Sequence, residues 1–259
     1  MNLRPEQEEA LRQLLELWRD TPFVLIGAGA LGLQVDLARQ TNDLDFALSV
    51  ALEEYPAGLQ GLVGWQRRRE GEHAWQSPEG AKVDIVPAGP SLLEAGSLIW
   101  PQSGHHMSLI GLRLAFEHYI SIAIDDAHSI RVAVVPVVFV LKMVSFLDRP
   151  TARERDLNDI ATILENYLGP THDRRWELPV NFENASAFAV GFDVGLLINR
   201  QEREAVMKFI ARAKDENDRT HALLIRNGPW SWRARPEMLF DRLKAFEEGI
   251  RRAATTSRT

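Results

Sequence analysis

The chain has 259 residues with a formal net charge of −6 and a pI near 5.7. Its 45% hydrophobic and 25% charged content is the ordinary globular balance, which excludes a disordered segment, a collagen-like repeat and a coiled-coil rod. The absence of cysteine removes disulfides, thiolate zinc sites and Cys nucleophiles, and acids outnumber bases over residues 1–147 while the remainder is near balance.

In chain order, residues 5–19 predict a helix, with Leu11, Leu14, Leu15 and Trp18 at helical spacing and Pro5 suited to a first turn. The opening MNLRPEQEEALRQLL is acidic and amphipathic, unlike a secretory leader. Phe23-Val24-Leu25-Ile26 reads as a short buried strand that ends at Gly27. A helix is expected over 28–38, a strand over 43–48 and an irregular helix over 52–63, which contains Pro56 and Gly58. Strands are expected over 65–75 and 81–86, joined through Ser77-Pro78-Glu79-Gly80, and further strands near 109–113, 119–124 and 129–134. Helices are expected over 136–148, 152–167, 185–198, 201–213 and 236–252, with a linker over 168–180 and a frayed tail over 253–259. The run 132–144 is the most apolar, but it contains Pro136 and Lys142 and is too short to span a bilayer. A cytoplasmic protein without a membrane partner is therefore expected.

Gly27-Ala28-Gly29-Ala30-Leu31-Gly32 satisfies G-x-G-x-x-G between a strand and a helix, so a dinucleotide-binding fold must be weighed. That fold places an acidic residue at the end of the following strand, whereas Asp43 and Asp45 stand at its start and the next elements resemble a hairpin. A tight turn with no ligand is the plainer rival. A third reading explains more residues. Glycines at a strand end let backbone N–H groups approach a triphosphate in front of a helix N-terminus. In Asp43-Leu44-Asp45 the two carboxylates project from one face of a strand, where they can hold two magnesium ions ~4 Å apart, the arrangement used in nucleotidyl transfer. Asp84, within Lys82-Val83-Asp84-Ile85-Val86, is the candidate third ligand and general base.

Lys142 lies among Val137, Val138, Phe139, Val140, Leu141, Met143 and Val144, so its ammonium needs a partner or a bound anion; a phosphate contact is expected. Asp156 and Asp159 share one helix face, and Arg39 is placed to clamp a phosphate or pair with the carboxylates. Arg67-Arg68-Arg69 is read as solvated rather than as an RNA contact, and His105-His106 lacks a third zinc ligand. Trp230-Ser231-Trp232-Arg233 is read as core or interface, and Phe188, Gly195 and Leu196 as bundle core.

These residues resemble the nucleotidyltransferase superfamily, whose signature is strand–Gly-(Gly/Ser)–helix, then Asp-x-Asp, then a third Asp. Within it, Ile26-Gly27-Ala28-Gly29-Ala30-Leu31 through Arg39-Gln40-Thr41-Asn42-Asp43-Leu44-Asp45-Phe46 is similar to the AbiEii-type toxins of type IV toxin–antitoxin systems. Those proteins also carry a later Lys, Arg and D-x-x-D, matched by Lys142, Arg149 and Asp156-Leu157-Asn158-Asp159. The resemblance covers residues 20–167 and departs at Ala28, where the superfamily has Gly or Ser. It implies an α+β nucleotidyltransferase fold, a mixed β-sheet flanked by helices, over residues 1–168, followed by a helical domain over 169–259. It further implies Asp43, Asp45 and Asp84 as magnesium ligands, with these and Lys142 as catalytic residues. A nucleoside triphosphate would be bound by Gly27, Ala28, Gly29, Arg39, Thr41, Lys142, Arg149, Asp156 and Asp159. The implied acceptor is an RNA, with tRNA as the specific case, and the implied protein partner is an antitoxin. The rival functions are transfer to a small molecule or protein side chain, and a catalytically silent binding module.

Overall fold

The computed structural model describes residues 3–35, 41 and 43–256, which divide into two compact units, 1–134 and 135–259. In chain order the first unit runs α1 (Pro5–Leu17), β1 (Phe23–Ile26), α2 (Gly27–Gly32), β2 (Asp43–Leu48), α3 (Tyr55–Gly58), β3 (Gln66–Arg67), β4 (Ala74–Gln76) and β5 (Lys82–Pro87). It continues with α4 (Pro90–Ala95), β6 (Ser97–Ile99), β7 (His106–Ser108), α5 (Leu112–Glu117), β8 (Tyr119–Ala123) and β9 (Ser129–Ala133). Seven strands form one mixed sheet in the order β3-β4-β5-β2-β1-β9-β8, and β6 and β7 form a separate hairpin.

The alternation of the two central strands decides what the sheet does. In β2, Leu44 and Phe46 are fully buried, while Asp43 and Asp45 project from the opposite face and are half-buried. In β5, Val83 and Ile85 are fully buried and Asp84 projects between them. Helix α1 covers the apolar side. Trp18 meets Phe23 edge-on at 5.1 Å and Phe46 at 6.5 Å, and Phe23 meets Phe46 at 5.8 Å between ring centres. A one-residue slip of β2 would turn both aspartates into this core, so the apolar set pins the register that exposes the carboxylates.

The second unit is helical: α6 (Val135–Asp148), α7 (Glu154–Asn166), α8 (Arg174–Glu177), α9 (Ala185–Leu197), α10 (Arg200–Lys214), α11 (Arg219–Asn227), α12 (Trp230–Ala234) and α13 (Glu237–Thr256). By packing, α6 and α7 therefore belong to this unit, although the sequence groups them with the first domain. Its core is centred on a close crossing of α9 and α13. A Cβ on Gly191 would lie 2.1 Å from the Phe246 carbonyl oxygen, and one on Gly249 would lie 2.3 Å from that of Phe188. Only glycine lets the two backbones approach so closely.

Several sequence expectations need correction. The strand expected at 109–113 is a turn through Gly111, which has φ +89°, leading into α5, where Leu112 and Ala115 are buried one helical turn apart. The single strand expected over 65–75 is two strands around Gly71, and the helix over 52–63 shrinks to one turn. The helix expected over 28–38 begins at Gly27 and is assigned only to Gly32; residues 36–38 lie outside the described residues. Hairpin β6–β7 and helices α4, α11 and α12 were not expected. Helix α13 continues through part of the expected frayed tail, because Ala253 is fully buried against Gly195. Phe188 and Gly195 are core as expected, whereas Leu196 is 49% exposed because it falls on the outer side of α9. Trp232 is core, but Trp230 is 77% exposed.

Candidate active site

The carboxylates of the first unit are set by strand register. Strands β2 and β5 run parallel with Asp45 opposite Asp84, and β1 runs antiparallel to β2 with Ile26 opposite Asp45. Partners in register project to the same side, so Asp43, Asp45 and Asp84 share one face. The glycine turn closes over this face. Gly27 has φ +69°, and a Cβ there would lie 2.3 Å from Asp45 Oδ2 and 2.8 Å from its Cγ. The turn thus needs glycine twice over, for its left-handed backbone and for its contact with the second aspartate. Gly29 differs, since the nearest atoms to a Cβ there are Leu44 Cδ2 at 3.5 Å and Leu25 Cδ1 at 3.6 Å, ordinary contacts. Ala28 is buried in the same turn.

Asp84 is 17% exposed at its side chain and forms an ion pair with Arg68. His73 Nε2 stands 3.8 Å from its other oxygen, and the His73 ring lies 5.6 Å from that of Trp100. Burial, with the Asp45 charge second, pushes the Asp84 carboxyl up to about 7 against the opposing pull of Arg68. Thr41 uses its hydroxyl to donate to the Asp43 carbonyl oxygen at 3.0 Å, so it braces the entry to β2. Arg39 lies outside the described residues.

The donor set suits a hard divalent cation, which takes oxygen ligands. Asp43 Oδ1 is buried and has no hydrogen-bond partner among the described residues, an orphaned acceptor that a cation would satisfy. Even so, no group of three or more His, Asp or Glu side chains among the described residues is already placed to hold a metal.

In the second unit, Lys142 Nζ donates to Asp156 Oδ1 at 2.7 Å and pairs with Asp159 Oδ2 at 2.9 Å. Lys142 is 9% exposed and Asp159 0%. The partner that the apolar helix demanded is thus a pair of carboxylates on α7. Arg149 follows α6, its backbone N–H donating to the Ser145 carbonyl and its own carbonyl accepting from Ala152 and Arg153 across the turn to α7. Gly27, Asp43, Asp45 and Asp84 are therefore together in the first unit, and Lys142, Asp156 and Asp159 in the second.

Sequence reasoning missed Arg68 and His73. The alternation of the Arg67-Arg68-Arg69 run held a signal for the first: Arg67 and Arg69 are exposed, and Arg68 turns inward. Arg67 bonds Gln102 at 2.8 Å and lies over the Trp75 ring. His73 gave no signal, being placed by a short hairpin.

A protein-family model described as "Nucleotidyl transferase AbiEii toxin, Type IV TA system" matches residues 10–221. Among solved structures the chain is similar to JHP933 from Helicobacter pylori, with 15% identity and a TM-score of 0.39 over 97% of this chain and 93% of that one. It is also similar to the antibiotic-resistance factor ANT(2'')-Ia, with 14% identity and a TM-score of 0.35 over 56% of this chain and 75% of that one. No curated protein matches it. No helix among the described residues is long and apolar enough to cross a membrane.

Proposed function

The chain belongs to the AbiEii family of nucleotidyl transferase toxins, and from that premise we propose that it moves a nucleoside monophosphate from a nucleoside triphosphate to an RNA 3′-hydroxyl, with tRNA the specific acceptor, as the toxin of a pair with a protein antitoxin. The observation that carries the chemistry is the register that sets Asp45 beside Asp84 on the face closed by Gly27. Divalent magnesium would be held by Asp43, Asp45 and Asp84, and it supplies charge neutralisation for the attacking and leaving oxygens of an in-line displacement. Gly27, Ala28 and Gly29 offer backbone N–H groups to the triphosphate, and Ala28 lacks the hydroxyl that a serine would add.

Asp84 is the general base. Placed on the same sheet face as Asp45, its carboxylate is assigned to take the proton from the acceptor hydroxyl as the hydroxyl oxygen attacks the α-phosphorus, while the α–β bridging bond breaks and pyrophosphate leaves. Thr41 keeps β2 in position. The assignment of Lys142, Arg149, Asp156 and Asp159 to the nucleotide rests on family membership alone; within the second unit Lys142 is held by Asp156 and Asp159. The RNA acceptor and the antitoxin rest on family membership alone.

The test incubates the protein with magnesium and each labelled nucleoside triphosphate in the presence of an RNA pool, a protein pool and small hydroxylated metabolites. Label is expected in RNA. Asp43→Ala should lower it by on the order of a hundred-fold or more with an unchanged melting temperature. Label in protein or small molecules redirects the acceptor, and equal transfer by Asp43→Ala removes the carboxylate assignment.

A further inference from the structure

Arg68 is the feature of the first unit that the proposed reaction does not use. Its guanidinium sits in the acidic cluster, 10% exposed at the side chain, paired with Asp84. Its position on the chain is fixed, because the Arg68 backbone N–H donates to Ala74 at 2.8 Å. The pairing is incomplete: Arg68 Nε is buried without a hydrogen-bond partner. A second carboxylate already shares the guanidinium: Glu70 Oε1 pairs with Nη1 at 3.6 Å, and its side chain is 59% exposed. Across the cluster, Asp43 Oδ1 is the buried acceptor without a partner. One end of the site thus has a cation engaged imperfectly, and the other has an acceptor with none.

We propose that Arg68 is a positioning residue that stands in for a divalent cation at Asp84: it neutralises that carboxylate before the site is loaded, and swings away to be held by Glu70 alone when a metal ion takes Asp84. The inference rests on the reading of Asp43, Asp45 and Asp84 as metal ligands. Three carboxylates gathered on one sheet face without a counter-charge repel one another, and a guanidinium fixed to the neighbouring hairpin offsets that cost. Because Arg68 and the metal compete for one carboxylate, the arginine sets how tightly the site holds its ion. Glu70, which receives the displaced charge, favours loading. Only a side-chain rotation is required, since the hairpin hydrogen bond is unaffected by it.

The test is Mn²⁺ binding to the intact protein without nucleotide, followed by the electron paramagnetic resonance signal of free Mn²⁺, so it needs no activity. Arg68→Gln should bind Mn²⁺ roughly ten-fold tighter than wild type, the scale of a close charge pair. Glu70→Gln should bind it a few-fold more weakly, and this exposed position decides the matter if Arg68→Gln does not fold. Either variant with unchanged affinity or the opposite sign overturns the exchange. Asp43→Ala is the control for the underlying reading: if it binds Mn²⁺ as wild type does, the metal assignment fails, whatever Arg68 does.

Discussion

At the scale of single residues, the two glycines of the turn make opposite demands. Gly27→Ala would put a side chain on a left-handed backbone and drive its Cβ into the Asp45 carboxylate. The backbone strain alone costs about 1–2 kcal/mol, and displacement of Asp45 adds a loss of transfer. Gly29→Ala meets only ordinary contacts inside α2, where alanine is favoured over glycine by up to ~1 kcal/mol. Thermal melts should therefore separate them, with Gly27→Ala melting lower and Gly29→Ala at or above wild type. If the two melt alike, the close approach of the turn to Asp45 is wrong. The aspartates were legible because period-two alternation in Asp43-Leu44-Asp45-Phe46 and Val83-Asp84-Ile85 fixes which side chains share a face. Their mutual register was not, since pairing between strands depends on chain outside both segments. Lys142 was half legible: the apolar helix demanded a counter-charge, and nothing local said that Asp156 and Asp159 would supply it.

Among the elements, long helices with a clear apolar stripe were readable and short ones were not. Helix α11 is instructive, because its start is hidden in the polar run Lys214-Asp215-Glu216-Asn217-Asp218-Arg219. Asp218 is its N-cap, accepting from the Thr220 backbone N–H at 2.7 Å while Arg212 Nε donates to it at 2.9 Å. A cap of this kind is worth about 1 kcal/mol. The Arg212 hydrogen bond, with that from the Thr220 backbone N–H, holds the Asp218 carboxyl at about 2, below its ordinary 3.8. A depressed carboxyl binds its proton less readily folded than unfolded, so its contribution is complete above about pH 4 and is lost as the pH falls toward 2. Asp218→Ala should thus melt below wild type at pH 7, and the gap should narrow as the pH is lowered through that window. Asp218→Asn should keep part of the gain, because the amide oxygen still caps the helix without pairing with Arg212. A gap that does not change with pH would show that the charge on Asp218 contributes nothing. The same blindness to short elements explains β3, β4 and hairpin β6–β7: two- and three-residue strands are too brief for alternation to register, and Arg68 and His73 lie in the connection between β3 and β4.

For the whole molecule, net charge gives a misleading first answer about the acceptor. A chain at −6 repels RNA on average, and the excess acid lies before residue 148. Some of that acid is the carboxylate cluster, whose charge a bound divalent cation would offset, and the helical unit is near balance with several exposed arginines, among them Arg200, Arg226 and Arg251. All three are already engaged with acids, Arg200 and Arg251 on their own helices and Arg226 with Glu154 of α7, so an RNA would gain phosphate contacts there only in competition with an existing pair. Salt then becomes the discriminating variable. Contacts to a single-stranded acceptor weaken with a log–log slope of about −0.7 per phosphate neutralised, so three such contacts would lower RNA affinity roughly 20-fold between 50 and 200 mM salt. An uncharged small acceptor releases no counterions and should show almost no change in its own KM over the same range. Measuring the KM for the acceptor against salt at saturating nucleoside triphosphate and constant free magnesium keeps the triphosphate's own salt sensitivity out of the result. A steep rise in KM with kcat steady is expected if the acceptor is RNA. A flat profile would mean that the acceptor is not gripped through its phosphates, and the RNA assignment would give way to transfer onto a smaller hydroxyl.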